Sequence, residues 1–328
     1  MKTCRFALFA CVFLLNLSSS RTWAAAGEIT EFELPHSGSG PGPIKVGPDL
    51  NLWFTELTGG RIGRFNLADN TFTEFELCPV PPCPSKQPRA LAVGPDNNIW
   101  FVEFDGNRVG KITLDGVITE FDLPSPGSGP SGITAGPDGN LWFTEWLGNR
   151  IGRISPEGDL AEFAIRTPNS QPRGITVGSD GNLWFSEYLG NKIGRITPCG
   201  YITEFQLDED SGPHGVTGEA PDGNVWFAAR QGNWIGRITP SGEITQFDLP
   251  HPQSQPLQVN VGPDQNLWFT ENTGNRIGRI TLDGVITEWR LPTENSMPLG
   301  ITAGPDGNVW FTENGGNKVG RLELAKER

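Results

Sequence analysis

Residues 130–154 run Pro130-Ser-Gly-Ile-Thr-Ala-Gly-Pro-Asp-Gly-Asn-Leu-Trp-Phe-Thr-Glu-Trp-Leu-Gly-Asn-Arg-Ile-Gly-Arg-Ile154. Three short β-rich runs lie here, A (Gly132–Ala135), B (Asn140–Glu145) and C (Arg150–Ile154), and a fourth, D (Leu160–Ile165), follows. Pro137-Asp138-Gly139 and Pro156-Glu157-Gly158 supply tight reversals, proline fixing φ and glycine tolerating positive φ. The Trp-Phe pair of run B recurs at 53, 100, 142, 184, 226, 268 and 310, spaced by 47 and then five times by 42. Four strands in about 42 residues make a propeller blade, and seven copies make a seven-bladed ring.

The termini indicate how that ring closes. Ile29-Thr-Glu-Phe-Glu-Leu34 is a D run with nothing before it, while the last copy stops after its C run, Lys318–Leu324. The expected fold is therefore all-β, a seven-bladed β-propeller of four antiparallel strands per blade whose N-terminal strand completes the last blade. Such an exchange removes an open sheet edge. Antiparallel order puts the D-to-A and B-to-C loops together on one face, here called the top.

Ahead of the first repeat, Lys2 and Arg5 precede an apolar run from Phe6 to Leu15 and small residues ending in Ala24-Ala25-Ala26. That pattern predicts a signal peptide over 1–26, cleaved after Ala26, and one propeller domain over 27–328 that is secreted or periplasmic. The run is too short to span a membrane, and no later stretch approaches the required length. Losing Lys2, Arg5 and Arg21 leaves 22 basic against 38 acidic residues, a net charge of −16. So acidic a chain lacks the basic footprint of nucleic-acid binding. A monomer whose partner is a small molecule or a cyclic peptide is expected. Cys78 and Cys83 bracket Pro79-Val80-Pro81-Pro82 inside the one large insertion of the repeat and suit a small disulfide in an oxidising compartment; Cys199 is left over.

Positions shared by all blades serve the ring, so function is sought where a blade departs from its siblings. The repeated Trp, Phe, Ile and Val read as packing. The recurrent Glu56, Glu103, Glu145, Glu187, Glu271 and Glu313 read as partners of neighbouring loops. Blade five departs most: it has Trp226-Phe-Ala-Ala-Arg230 where others have Trp-Phe-Thr-Glu, and His214, one of three histidines, opens its inner strand.

The same rim position around the ring is Gly42, Arg89, Ser131, Arg173, His214, Leu257 and Leu299. The position after the recurrent glutamate is Leu57, Phe104, Trp146, Tyr188, Arg230, Asn272 and Asn314. Arg89, Arg173, His214 and Arg230 with Phe104, Trp146 and Tyr188 form a cationic and aromatic arc suited to a ligand. Alternatively, the arginines pair with the recurrent glutamates and the aromatics cover the blades.

Across essentially all of residues 27–328 the pattern Gly-Pro-Asp-Gly-Asn-Leu-Trp-Phe-Thr-Glu, Gly-Asn-Arg-Ile-Gly-Arg-Ile and Ile-Thr-Glu-Phe resembles the streptogramin B (virginiamycin B) lyases. The resemblance implies a seven-bladed propeller that linearises a cyclic depsipeptide by magnesium-assisted elimination at an ester, with a histidine base. Pro213-His214-Gly215 and Trp226-Phe227-Ala228 match the family's catalytic blade, which makes His214 the implied base. The acids do not follow. Gly212 and Arg230 stand where that blade carries glutamates, and Arg173 where the preceding blade carries a histidine.

A divalent cation needs oxygen ligands, which an arginine at 230 does not provide. Glu209 or Glu187 are the candidate substitutes, and Mg²⁺ is the expected cofactor only if the lyase chemistry holds. Two functions therefore lead: a binding propeller for a small anionic, aromatic or cyclic ligand over blades two to five, and a carbon–oxygen lyase based on His214. A metal-dependent lactone or ester hydrolase and a protein-interaction scaffold rank behind them.

Overall fold

A computed structural model of the chain describes residues 25–78, 86–208 and 210–324. Most of the expected leader, Cys83 and Glu209 lie outside the described residues, whereas Cys78 is disulfide-bonded. β1 (Ala25–Glu33) precedes six four-stranded antiparallel sheets, β2–β5 (41–76), β6–β9 (88–122), β10–β13 (130–164), β14–β17 (172–206), β18–β21 (213–248) and β22–β25 (256–290). A seventh sheet has the order β1-β28-β27-β26, built from β26–β28 (298–324) and the N-terminal strand. The fold is a seven-bladed β-propeller. No helix among the described residues is long and apolar enough to cross a membrane.

Each blade is assembled around its tryptophan. In blade one, Asp49 Oδ1 accepts from the backbone N–H of Asn51 at 3.2 Å and from Trp53 Nε1 at 3.0 Å, while Oδ2 takes the Asn51 amide at 2.9 Å. One carboxylate thus closes the A-to-B turn and satisfies the only polar atom of a fully buried indole. The indole stacks on Phe75 of strand D with centroids 5.5 Å apart and planes 8° apart. Arg64 lies over both rings and donates from NH1 to the Leu114 carbonyl of the next blade at 3.0 Å. A Cβ on Gly63 would stand 2.2 Å from the Phe54 ring, so glycine is required where that ring crosses strand C.

The cores lie between blades. Trp142 of blade three packs with Ile175, Leu183, Phe185 and Ile196 of blade four, and at the seam Trp310 packs with Leu34, Ile44, Leu52 and Phe54. Ile29 to Glu33 pair with Leu322 to Lys318, and Phe32 sits 4.9 Å from Phe65 and 5.8 Å from Trp310, centroid to centroid. Glu31 accepts from the Thr293 hydroxyl at 2.6 Å and from Lys318 at 2.8 Å.

The recurrent glutamates are fully buried at the ends of the B strands. Each faces a strand-D glutamate of its own blade, as Glu187 faces Glu204 and Glu313 faces Glu31, beside one lysine or arginine such as Lys192 or Lys318. Burial, reinforced by the neighbouring glutamate, raises Glu187 and Glu313 to about 8 and Glu145 to about 7. Blade five replaces this cluster as a set: Ala229 and Gln246 stand where the two acids would be, and Trp234 takes the cation's place, edge-on to Phe227.

Two consequences are measurable. Truncating Phe32→Ala at the seam costs roughly 2–3 kcal/mol, and deleting residues 27–35 costs far more, read as loss of cooperative thermal unfolding. The raised glutamates contribute stability that is complete below their unfolded value of 4.5 and is lost as pH rises through 7 to 8. The urea-unfolding free energy therefore falls between about pH 5 and 9, and Glu313→Gln flattens that slope.

Candidate functional site

The inner strands run so close together around the axis that their rim residues meet. A Cβ on Gly132 would be 2.3 Å from the Arg173 carbonyl, and one on Gly174 would be 2.7 Å from that of His214. Hydroxyls of strand B fix these carbonyls: Thr144 donates to Arg173 O at 2.6 Å and Ser186 to His214 O at 2.5 Å. The rim therefore opens on the axis, where a cavity of about 250 Å³ is lined by Arg89, Arg173, His214 and Arg230 on one side. Leu57, Leu257, Met297 and Leu299 line the other, with Gln258, Asn272 and Asn314.

Behind the cationic wall stands an aromatic cluster, with Phe104 and Trp146 in contact at 5.2 Å between centroids. The Arg89 guanidinium carbon lies 3.8 Å from the Phe104 centroid and 4.6 Å from that of Trp146; that of Arg173 lies 3.7 Å from Trp146 and 4.6 Å from Tyr188. Tyr188 meets His214 edge-on at 6.4 Å, and its hydroxyl accepts from Gln231 Nε2 at 2.9 Å. Trp146 thus contacts both arginines, Phe104 only Arg89 and Tyr188 only Arg173, and none of the three lines the cavity. Their faces hold the guanidinium groups by cation–π attraction.

The arginines of the rim have no carboxylate ion pair among the described residues. The buried glutamates instead pair with strand-C cations or with Lys86: Glu56 with Arg61 at 2.8 Å, Glu103 with Lys86 at 3.5 Å, Glu145 with Arg150 at 3.8 Å. Arg230 donates from Nε and NH2 to Gln255 Oε1 at 3.3 and 3.1 Å. Burial lowers Arg89 and Arg173 to about 10, and Arg173 is lowered further by Arg89 and Arg230; only Asp105 acts on Arg89 in the opposite sense. Three buried N–H donors in this cluster, Arg89 Nε, Arg173 Nε and Trp146 Nε1, have no acceptor. The site holds excess positive charge and excess donors.

His214 faces Arg173 NH1 through Nε2 at 3.3 Å, which makes Nε2 the acceptor and places the ring proton on Nδ1. Nδ1 lies toward the Leu257 carbonyl, short of a complete hydrogen bond. Burial first, then Arg173 and Arg230, push its pKa well below the usual 6.5. Of the candidate acids, Glu187 lies buried outside the cavity beside Lys192, and Glu209 is outside the described residues.

Magnesium does not fit this donor set. Three guanidiniums face the cavity, no carboxylate lines it, and no group of three His, Cys, Asp or Glu side chains among the described residues could hold a metal ion. Met297 and Gln258 also line the cavity and were missed, although Gln258 stands where Gly132, Gly174, Gly215 and Gly300 occupy four other blades.

The model of the virginiamycin B lyase family matches residues 20–219 and 207–327. The chain belongs to the virginiamycin B lyase family. It is 40% identical to a selenomethionine-substituted virginiamycin B lyase from Staphylococcus aureus, over 92% of this chain and 99% of that one, with a TM-score of 0.85. A catalytically inactive histidine-to-alanine variant of the S. aureus lyase, with quinupristin, matches at 40% identity, the same coverages and a TM-score of 0.84. A streptogramin B lyase matches at 40% identity over 91% and 98% of the two chains, with a TM-score of 0.85. No curated protein matches. Within this virginiamycin B lyase-like propeller, the geometry around His214 makes a direct prediction. In a pH titration followed by NMR, the imidazole stays neutral well below pH 6.5, and Arg173→Gln moves its titration back up.

Proposed function

We propose that this chain is an exported binding propeller of the virginiamycin B lyase family that takes a small anionic ligand in the top cavity and does not linearise cyclic depsipeptides. One observation carries the proposal: Arg89, Arg173 and Arg230 converge on a cavity without a lining carboxylate, beside buried N–H donors that lack acceptors. Like charges held together in a partly desolvated site are stabilised by an anion, and arginine edges match an oxyanion. Export is proposed from the leader pattern of residues 1–26.

The lyase alternative draws support from His214, which lines the cavity. A general base needs a free lone pair and a carboxylate or similar group to stabilise the cation it becomes. Here Nε2 is engaged by Arg173, and the adjacent charges oppose protonation.

The test pairs two measurements on the purified protein. Incubation with a streptogramin B antibiotic and Mg²⁺, resolved by chromatography and mass spectrometry, leaves the antibiotic unchanged. Calorimetric titration with sodium benzoate shows saturable binding that weakens at least tenfold in Arg173→Gln. Linear product that disappears in His214→Ala overturns the proposal.

A further inference from the structure

The top cavity has two chemically different walls, and each constrains a different part of a ligand. Blades two, four and five contribute Arg89, Arg173, His214 and Arg230; blades one, six and seven contribute Leu57, Leu257, Met297 and Leu299. Two of the three polar side chains on the second side are engaged through their amide nitrogens: Asn272 Nδ2 donates to Pro298 O and Asn314 Nδ2 to Pro41 O, each at 3.2 Å, and Gln258 is the third. That wall offers a ligand mainly apolar surface.

The first wall restricts how an anion is met. Both faces of the Arg173 guanidinium are covered, by Trp146 at 3.7 Å and Tyr188 at 4.6 Å, whereas Arg89 rests against Phe104 and Trp146, whose centroids are 5.2 Å apart, and is not enclosed between them. An apolar ligand body cannot stack on Arg173. Contact is limited to the in-plane N–H edges, the geometry that takes a carboxylate side-on. The rest of the ligand must then extend across the axis toward the leucines. At ~30 Å³ of liquid volume per water, the enclosed part of the cavity accommodates roughly eight non-hydrogen atoms.

We propose that the ligand is an amphipathic monocarboxylate, its head on Arg173 and Arg230 and a short apolar body against Leu57, Leu257, Met297 and Leu299. This rests on the anion-binding function proposed above and specifies its ligand class. Met297 is 43% exposed and Leu257 is 6% exposed, so the apolar wall runs from the mouth inward and presents a graded length of surface to a chain.

The experiment is calorimetric titration of the folded protein with sodium acetate, butyrate, hexanoate and octanoate at constant ionic strength, with hexanol and hexylamine alongside. Affinity rises about fourfold per added methylene until the cavity fills, and hexanol and hexylamine do not bind. Arg173→Gln removes binding of every carboxylate. Leu299→Ser flattens the dependence on length and leaves short acids unaffected, and Met297→Ser, at the exposed mouth, gives a second variant if the first lowers the melting temperature. Carboxylates that bind with no dependence on length overturn this inference and leave anion binding standing. Absence of binding by any carboxylate, or equal binding of hexanol, overturns both.

Discussion

The structure depends on one repeated contact, the buried indole whose N–H is held by the aspartate four residues before it. Asp138 and Trp142 make it at 3.0 Å, Asp264 and Trp268 at 2.8 Å, and the same pair occurs in all seven blades. The indole is shared: its polar atom belongs to the turn of its own blade, while its rings pack on the next. Because interiors are close-packed, seven equal wedges fix the angle between blades and leave little freedom in how far the inner strands approach the axis. The convergence of Arg89, Arg173 and His214 at the rim follows from that spacing and from the glycines beneath them.

Blade five shows what this constraint permits. Elsewhere two glutamates and a cation are buried together, an arrangement whose desolvation cost approaches or exceeds its Coulombic gain. In blade five all three are changed at once, to Ala229, Gln246 and Trp234, and Trp234 fills the space against Phe227. Changing only one member would leave an uncompensated buried charge. The joint change keeps the wedge intact and removes the carboxylate that would otherwise stand next to Arg230 in strand β19 (Val225–Ala229). The rim of an acidic chain carries a local site of the opposite sign. Long-range attraction is not what such a site exploits, since a net negative protein repels anions at a distance; the selectivity is in the contact geometry.

The fold was legible because its determinants repeat. Trp-Phe at near-constant spacing, Pro-Asp-Gly turns and the unpaired D run at residues 29–34 specify blade number, strand order and closure, and strand bounds agree to within about two residues for blade three. The rim register was legible for the same reason, since Arg89, Arg173 and His214 occupy one equivalent position and Arg230 the other, after the recurrent glutamate. Side-chain direction was not. Phe104, Trp146 and Tyr188 share a register with Leu57, which lines the cavity, yet they turn behind the arginines, where their faces take the guanidinium groups. Glu187 sits one residue before Tyr188, but alternation along the strand sends its carboxyl into the blade toward Glu204 and Lys192.

The central claim is that the top cavity is a site for anions and not for divalent metal. Anomalous diffraction from crystals soaked separately in sodium bromide and in manganese chloride tests it at the atoms concerned. The account predicts a bromide peak in contact with the Arg173 and Arg230 guanidinium edges and no manganese peak in the cavity. A manganese peak between His214 and a carboxylate, with no bromide bound, would contradict it.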